Sequence, residues 1–356
     1  MSSNEELLMK RCINLAKKGI GRTSPNPMVG AIIVHDNKII GEGYHKKFGE
    51  NHAEVDAIKN VKNKSLLKNS TLYVNLEPCN HEGKTPPCCD FIIKNRIPNV
   101  IIGSTDPNSK VSGGGIQKLI ENNIVVKVGT LLNECNELNK RFFCFHENNR
   151  PYVTLKWAES QDGFISPNNQ KLGKIFWITS DESRQLSHKW RSEEDSIAVG
   201  INTIIKDNPE LTTRNWNGKS PLPVIIDPNN KISLTSKVFK KHNKVFHLTK
   251  ENGHHHSINV NFKNSIPEIL NTLHENKINS VLVEGGQKTI QKFIDSNLWD
   301  EAKYFVGKKI IGDGIKGPKI ESNKWVKNYI STDILYSLKN DSANKLERKS
   351  GHLIGF

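Results

Sequence analysis

Short apolar runs alternate with amphipathic helical segments over the first 145 residues, and this alternation constrains the fold more than any other feature. The segment 28–45 holds two apolar runs on either side of Asp36-Asn37, which predicts two strands joined by a tight turn. Further strands are predicted in STLYVNLEP, NVIIGSTDP and IVVKVGT, and helices over 5–18, near His52, from residue 88 and in GGGIQKLIENN. Strands alternating with helices form a layered α/β domain.

A polar segment, HENNRP at 146–151, separates this region from a second alternation of the same kind. Strands are predicted there in PYVTLKWAES, DSIAVG, LPVIID, SVLVE and DEAKYFVG, and helices over 181–192 and after Gly286. A chain of 356 residues is long enough for two domains. We therefore predict domains at 1–146 and 150–356, and the segment 228–275 has no readable pattern.

The formal charge of +14 raises the question of nucleic-acid binding. The lysines are scattered and form no block of like charge, so a solvated basic surface that attracts small phosphorylated ligands is the better interpretation. No stretch approaches the roughly 20 apolar residues of a membrane span, and the N-terminus lacks the apolar core of a signal peptide. These features predict a soluble cytoplasmic protein that binds neither nucleic acid nor membrane.

Six cysteines in a chain of this length do not form a disulfide scaffold. Three of them are predicted to be buried thiols: Cys12, Cys135 and Cys144. The other three cluster among polar residues: Cys79, Cys88 and Cys89.

The segment LEPCNHEGKTPPC, Leu76–Cys88, and the segment NHAEVDAI together predict a zinc site. His52, Cys79 and Cys88 supply three tetrahedral ligands and leave the fourth position for water, whose pKa the metal lowers. Glu54 lies two residues after His52, where zinc deaminases place the general acid/base that moves the protons of water. The sequence therefore predicts an open, catalytic zinc site.

Other ligand sets are compatible with the same segment. Cys89 could replace Cys88, although a buried neighbour is the better interpretation. His81 could replace one of the cysteines, although its position in the middle of the loop makes the thiolate the better interpretation. His81 could also be a fourth ligand, and a site closed by four protein ligands would be structural, with no catalytic activity.

The segments PNPMVGAIIV, GEGYH, HAEVDAI, LEPCNHEGKTPPC and TDPN resemble the deaminase half of the bifunctional riboflavin-biosynthesis deaminase–reductase family. The resemblance implies a cytidine-deaminase-like three-layer α/β/α domain that deaminates 2,5-diamino-6-(5-phosphoribosylamino)pyrimidin-4(3H)-one, a phosphorylated pyrimidine. It implies zinc on the three predicted ligands. It also implies a substrate pocket lined by Asn26, His45, His81, Lys84, Asp106 and Asn108.

The second half of the chain carries the segment VEGGQKT, in which Gly285 and Gly286 precede a predicted helix whose free N–H groups favour a phosphate. This half of the chain resembles the reductase half of the same family. The segments that carry the resemblance occur in the order LKWAESQDGFI, WITSDES, HKWRSEEDSIAVGINTIIKDNPELTTR and VEGGQKT. The resemblance implies a dihydrofolate-reductase-like α/β fold and NADPH reduction of 5-amino-6-(5-phosphoribosylamino)uracil to the ribitylamino product. It implies that the cofactor is contacted by Ala158, Trp177, Thr203, Asp207 and Gly286. It implies that the substrate is contacted by Arg191, Leu211, Arg214 and Glu284. It also implies a homo-oligomer, either a dimer or a tetramer.

Two positions depart from the reductase pattern. Ile175 stands where the family has a small polar residue, and Gln161 stands where a leucine is expected to pack. A member of the family with a degenerate reductase half is therefore one alternative. A nucleic-acid base deaminase is the other, and it rests mainly on the positive charge.

Overall fold

The computed structural model describes residues 3–82, 86–108, 112–251 and 253–342. The chain divides into two compact units, Met1–Asn149 and Arg150–Phe356. Within the described ranges, we find no helix with the length and apolar character needed to cross a membrane.

Within its described residues, the first unit contains five strands and six α-helices. The strands are β1 (Gly30–His35), β2 (Lys38–Tyr44), β3 (Thr71–Val74), β4 (Asn99–Ile102) and β5 (Val125–Val128). The helices are α1 (Asn4–Ala16), α2 (Ala53–Lys59), α3 (Cys88–Lys94), α4 (Gly114–Glu121), α5 (Leu132–Leu138) and α6 (Lys140–Glu147). The strand order is β2-β1-β3-β4-β5, antiparallel across β2-β1-β3 and parallel across β3-β4-β5.

The β1–β2 hairpin turns at Asp36 and Asn37, whose φ angles of 47° and 59° suit these two residue types. Successive residues of β1 face opposite sides of the sheet. Ile32 packs in the cluster that contains Met9 of α1, whereas Ile33 packs in the cluster that contains Ala57 of α2. Helices therefore cover both faces, which confirms the predicted three-layer α/β/α fold.

Helix α2 lies unusually close to the sheet. A side chain at Gly43 of β2 would collide with the α2 main chain at Ala53 and Ala57. This close approach holds the start of α2 against the sheet, and His52 is the N-cap residue of that helix.

Over residues 150–251 and 253–342, the second unit contains eleven strands and five α-helices. The strands are β6 (Tyr152–Glu159), β7 (Phe164–Pro167), β8 (Ser196–Gly200), β9 (Leu222–Ile226), β10 (Phe246–Thr249), β11 (Ser257–Asn259), β12 (Ser280–Glu284), β13 (Glu301–Val306), β14 (Gly314–Lys316), β15 (Val326–Ile330) and β16 (Asp333–Lys339). The helices are α7 (Asp181–Glu193), α8 (Ile201–Asp207), α9 (Lys237–Lys241), α10 (Ser265–Glu275) and α11 (Gln287–Asp295).

Nine strands form one mixed sheet in the order β11-β10-β9-β8-β12-β6-β13-β16-β15, and β7 pairs with β14 in a separate ribbon. The pairs from β11 to β13 are parallel, and the β13–β16 and β16–β15 pairs are antiparallel. Helices α10 and α11 pack in one cluster on this sheet, where Phe293 is completely buried. Helices α8 and α9 pack in a second cluster around Ile197 and Ile225.

The strands predicted from the apolar runs of both units are confirmed. The segment 228–275, which had no readable pattern, contains α9, β10, β11 and α10 and extends the sheet at one edge.

Candidate active site

The three predicted zinc ligands meet at the ends of three different elements. His52 is the N-cap of α2, Cys79 lies in the loop after β3, and Cys88 is the first residue of α3. The Nδ1 atom of His52 lies 3.2 Å from Cys88 Sγ and 3.4 Å from Cys79 Sγ. All three ligand atoms lie within 4.8 Å of one another.

The donor set fits zinc. Two thiols and one imidazole are ligands that Zn²⁺ prefers, and three of them leave a coordination position open. A hydrogen bond with Cys88 lowers the pKa of the Cys79 thiol to about 4, and His52 acts in the same direction. A thiol that ionises readily is suited to metal binding.

The alternative ligands lie elsewhere. Cys89 is completely buried, and its Sγ lies 3.3 Å from the carbonyl oxygen of Pro78. Among the residues for which coordinates are described, the ligand cluster contains only His52, Cys79 and Cys88, so His81 is not a fourth member. The interpretation as a closed structural site is therefore wrong for this arrangement.

Glu54 lies in the first turn of α2, beside the ligand cluster, and is only 3% exposed. Burial raises the pKa of its carboxyl to about 7, against the opposing effect of His52. A carboxyl with a pKa near neutral can both accept and donate a proton, as a general acid/base must.

A cavity of about 290 Å³ opens beside these groups. It is lined by two of the ligands, His52 and Cys79, and by Glu54. Five of the six residues predicted to contact the pyrimidine line the same cavity: Asn26, His45, His81, Asp106 and Asn108. The sixth, Lys84, lies outside the described residues.

Hydrogen bonds fix the orientation of two of these side chains. His45 Nδ1 lies 3.0 Å from the carbonyl oxygen of Asn51, which only accepts, so Nδ1 carries the hydrogen. Burial lowers the pKa of His45, which favours the neutral ring. Its Nε2 is then an acceptor for the amide of Asn26, 3.2 Å away. The Oδ1 atom of Asn26 therefore remains available as an acceptor.

Sequence analysis did not single out eight residues of the cavity wall: Pro27, Val29, Phe48, Gly49, Glu50, Leu76, Glu77 and Phe142. Glu77 lies inside the segment LEPC, two residues before a ligand, and this position could have identified it. Phe142 belongs to α6, and no motif marks it.

The second unit brings two of its predicted substrate residues into direct contact. Arg191 of α7 donates two parallel hydrogen bonds to Glu284 at the end of β12, with distances of 2.9 and 2.8 Å. A third donor of Arg191 lies 3.0 Å from the carbonyl oxygen of Thr212. The guanidinium of Arg191 is thus paired with a carboxylate that lies 93 positions away in the sequence.

Two further ionisable residues, Lys156 and His188, lie near Glu284, and sequence analysis singled out neither of them. Lys156 Nζ of β6 lies 3.7 Å from Glu284, and burial lowers the pKa of this lysine. His188 of α7 is 3% exposed, and burial, together with the charges of Arg191 and Arg214, lowers its pKa to about 4. Lys156 lies 128 positions and His188 lies 96 positions before Glu284, so no local motif joins them to it.

The residues predicted to bind the cofactor lie at several places in the second unit. Thr203 of α8 faces Gly285 and Gly286, because a side chain at either glycine would contact it. Both glycines have positive φ, of 88° and 72°, immediately before α11. This loop therefore presents its main chain toward Thr203.

The remaining predicted residues lie on three other segments. Ala158 is on β6 opposite Phe305. Trp177 is 38% exposed and packs under the guanidinium of Arg184 at 4.5 Å. Asp207, at the end of α8, accepts a hydrogen bond of 2.7 Å from Gln170.

Leu211 is 2% exposed, in the core cluster of α8 and α9, with a φ of 55°. Because the side chain of Leu211 lies in the core, any contact of this residue with a ligand is made by its main chain.

The two departures from the reductase pattern have different environments. Ile175 is 39% exposed in the loop before α7. The side chain of Gln161 is exposed, so the concern that it replaces a packed leucine is wrong.

Comparison with known proteins matches both units. A model for the cytidine and deoxycytidylate deaminase zinc-binding region matches residues 2–104, and a model for the RibD C-terminal domain matches residues 151–334. The riboflavin biosynthesis protein RibD of Aquifex aeolicus is 41% identical over 319 residues, covering 86% of this chain and 88% of that protein. The corresponding protein of Bacillus amyloliquefaciens is 39% identical over 345 residues, covering 90% and 88%.

Two solved structures have the same fold over nearly the whole chain. One is a diaminohydroxyphosphoribosylaminopyrimidine deaminase/5-amino-6-(5-phosphoribosylamino)uracil reductase from Thermotoga maritima, with a TM-score of 0.85 and 37% identity. The other is Acinetobacter baumannii RibD, with a TM-score of 0.85 and 29% identity. Each comparison covers 94% of this chain and 98% of the other.

Proposed function

We propose how the two units act from one premise: this chain belongs to the family of bifunctional riboflavin-biosynthesis deaminase–reductases. It is a zinc-dependent deaminase of 2,5-diamino-6-(5-phosphoribosylamino)pyrimidin-4(3H)-one joined to an NADPH-dependent reductase of 5-amino-6-(5-phosphoribosylamino)uracil. We assign deamination to residues 1–146 and reduction to residues 150–356.

In the deaminase unit, His52, Cys79 and Cys88 hold the zinc. When bound, zinc supplies a Lewis acid that lowers the pKa of water. Glu54 takes one proton from the water that adds to ring C2 and delivers it to the ring nitrogen. It then takes the remaining proton of the added oxygen and delivers it to the 2-amino group, which leaves as ammonia as the C2 carbonyl forms. The raised pKa of Glu54 supports this exchange, because the carboxyl can bind and release a proton near neutral pH.

The other residues of the cavity orient the pyrimidinone. Asn26, fixed by His45, directs its acceptor oxygen to ring N–H or amino groups. Asp106, Asn108 and His81 complete the polar wall, and Lys84 is assigned to the phosphate, to which it presents a point charge.

In the reductase unit, NADPH supplies the hydride that reduces the ribosyl carbonyl form to ribityl. We assign cofactor binding to Ala158, Trp177, Thr203, Asp207 and Gly286. We assign substrate binding to Arg191, Leu211, Arg214 and Glu284. The buried ion pair with Arg191 orients the carboxylate of Glu284. The cationic side chains near this carboxylate favour a phosphorylated substrate.

The observation that carries the proposal is the convergence of His52, Cys79 and Glu54 on one cavity, with Cys88 completing the ligand set. The test is Glu54→Gln, with ammonia release and NADPH oxidation measured separately. We expect loss of ammonia release by roughly 100-fold or more with zinc content unchanged. Ammonia release at the wild-type rate would refute the role of Glu54.

Reduction provides the internal control. Glu54→Gln should still oxidise NADPH when it is supplied with the already deaminated substrate. If the wild-type protein releases ammonia and does not oxidise NADPH, the reductase half is degenerate, and Ile175 is the first position to restore to a small polar residue.

We further propose a cytoplasmic homo-oligomer, either a dimer or a tetramer, that acts on a small molecule and not on nucleic acid. Light scattering after size-exclusion chromatography measures the mass directly. A gel-shift titration with tRNA should give no complex at physiological salt, and a salt-sensitive complex would favour the nucleic-acid alternative.

A further inference from the structure

Glu77 is a buried carboxylate that the proposed mechanism does not use. It lies between β3 and Cys79 and is 4% exposed. Within the described part of the chain it forms no ion pair. A buried charge without a cation needs strong hydrogen-bond partners, so its contacts reveal its role.

Four main-chain N–H groups converge on this carboxylate. Its Oε2 atom accepts from Asp106 and from Gly113, both at 3.1 Å. Its Oε1 atom accepts from Gly115 at 3.0 Å and from Ile116 at 3.2 Å. One side chain therefore connects the loop after β4 to the start of α4.

The main chain of α4 approaches Pro78 and Glu77 closely at Gly115. A side chain at Gly115 would collide with the carbonyl oxygen of Pro78 and would lie 3.1 Å from Glu77 Oε1. Glycine at this position lets the main chain of α4 reach the carboxylate. An amide at position 77 would direct its NH₂ group toward two of the four donors, because only one of its two terminal atoms accepts.

The loop that Glu77 holds carries two residues of the cavity wall. Asp106 donates its main-chain N–H to Glu77, and its carboxylate accepts from the main chain of Asn108 at 2.8 Å. Both Asp106 and Asn108 line the cavity beside the zinc ligands. Fixing the main chain of Asp106 thus also holds the main chain of Asn108, through the Asp106 carboxylate.

We propose that Glu77 is a positioning residue of the deaminase, which holds Asp106 and Asn108 in the orientation that binds the pyrimidine ribosyl phosphate. This inference rests on the proposed substrate contacts of those two residues. Glu77 is not assigned any contact with the reacting atoms.

The test compares Glu77→Gln with the wild-type protein and with Glu121→Gln, a matched change of an exposed carboxylate on α4. In Glu77→Gln we expect KM for deamination to rise about 10-fold, because hydrogen bonds to a charged group are lost. We expect a smaller change in kcat and an unchanged zinc content. Glu77→Asp retains two acceptor oxygens and should recover part of the affinity. Glu121→Gln should match the wild type.

A double-mutant cycle with Asp106→Asn separates positioning from general stability. If Glu77 acts through Asp106, Glu77→Gln should raise KM less in the Asp106→Asn background than in the wild type. Fully additive effects, or an unchanged KM in Glu77→Gln, would overturn the proposal.

Hydrogen exchange gives a readout that needs no substrate. The amides of Asp106, Gly115 and Ile116 should exchange faster in Glu77→Gln, while those of β1 remain as in the wild type. If Glu77→Gln does not fold, the exchange rates of the same amides are compared between Glu77→Asp and the wild type. Unchanged exchange rates at these amides in Glu77→Asp would also refute the proposal. Absence of ammonia release from the wild-type protein would instead refute the proposed function.

Discussion

At the level of single side chains, the two arginines assigned to the reductase substrate have different environments. Arg191 uses its guanidinium on Glu284 and on the carbonyl of Thr212. Arg214 is exposed, and no hydrogen bond joins it to the described residues. Arg214 therefore has donors available for a phosphate, whereas Arg191 orients Glu284.

Arg214→Gln should therefore weaken substrate binding and leave the fold intact. We expect KM for the deaminated substrate to rise roughly 10- to 100-fold, because a charge-assisted hydrogen bond to phosphate is lost, with little change in unfolding. Steady-state NADPH oxidation measures KM. The control is Lys219→Gln, an exposed cation in the following segment, and equal KM values for both variants would contradict the assignment.

Lowering the pH should reduce the free energy of unfolding of the second unit, because Glu284 then becomes protonated. Burial alone would raise the pKa of this carboxyl, but Arg191 and Lys156 lower it to about 2, below the ordinary value of 4.5. A depressed pKa means that the stabilisation is complete above pH 4.5 and is lost as pH falls toward 2. The contribution is on the order of 3 kcal/mol.

The stability difference between wild type and Glu284→Gln should therefore shrink between pH 6 and pH 3. All six tryptophans lie after residue 150, so tryptophan fluorescence during urea unfolding reports on the second unit alone. Glu275→Gln, at an exposed position of α10, is the control. A constant difference across this pH range would show that the Glu284 pKa is not depressed.

Single residues also show how far sequence reasoning reaches. His52, Cys79 and Cys88 are predictable because their motifs carry the chemistry in the residue types themselves. Lys156, His188 and Glu284 are buried together by folding, and Glu284 is 93 positions from Arg191. The sequence contains no local signal for a contact of that kind, so only resemblance indicated Glu284.

At the level of helices, strands and loops, the apolar pattern predicted the strands of both sheets because their burial leaves long runs of apolar residues. It failed over 228–275, where the short apolar runs of β10 and β11 are flanked by the polar segments KHNK and HHH. The hairpin of β15 and β16 was missed for another reason. Every residue of β15 is at least partly exposed, so no buried face marks it as a strand.

The loop before α7 is fastened to α8 by two contacts. Gln170 donates to Asp207 at 2.7 Å, and the N–H of Gly173 donates to the carbonyl of Lys206 at 2.7 Å. This loop carries Ile175 and Trp177, so its attachment controls where these two side chains lie, and Trp177 is one of the residues that we assign to the cofactor.

Gln170→Ala should loosen this loop without unfolding the unit. We expect the amide of Gly173 to exchange about 10-fold faster, because a hydrogen bond to a charged group is lost. Hydrogen exchange followed by mass spectrometry on the peptide 168–178 measures it. Asn271→Ala, which removes an exposed hydrogen bond on α10, should leave this peptide unchanged; equal exchange in both variants would mean that other contacts hold the loop.

Over the whole chain, each unit has its own sheet and its own core clusters. The second unit begins with a buried ion pair in which Arg150 contacts Asp300 through two bonds of 2.6 and 2.7 Å. Asp300 also accepts from the main chain of Val153 on β6. These contacts attach the first residue of the unit to β6, an interior strand of its sheet.

Asp300→Ala should destabilise the second unit by about 3–5 kcal/mol, because it leaves the buried guanidinium of Arg150 without its partner. Urea unfolding followed by tryptophan fluorescence measures the change. Asp295→Asn on the surface of α11 is the control. Ammonia release should persist at urea concentrations that abolish NADPH oxidation, and simultaneous loss of both activities would show that the two units unfold together.

The division of the chain at Asn149 and Arg150 also has a consequence for gene expression. Two self-contained units on one polypeptide are translated in equal numbers, whatever the level of the messenger RNA. The steady-state concentration of the deaminated intermediate then depends on the ratio of the two turnover rates and not on the relative abundance of two proteins. A cell that carries this chain can change the flux through both reactions with a single promoter and keep that intermediate at a constant proportion.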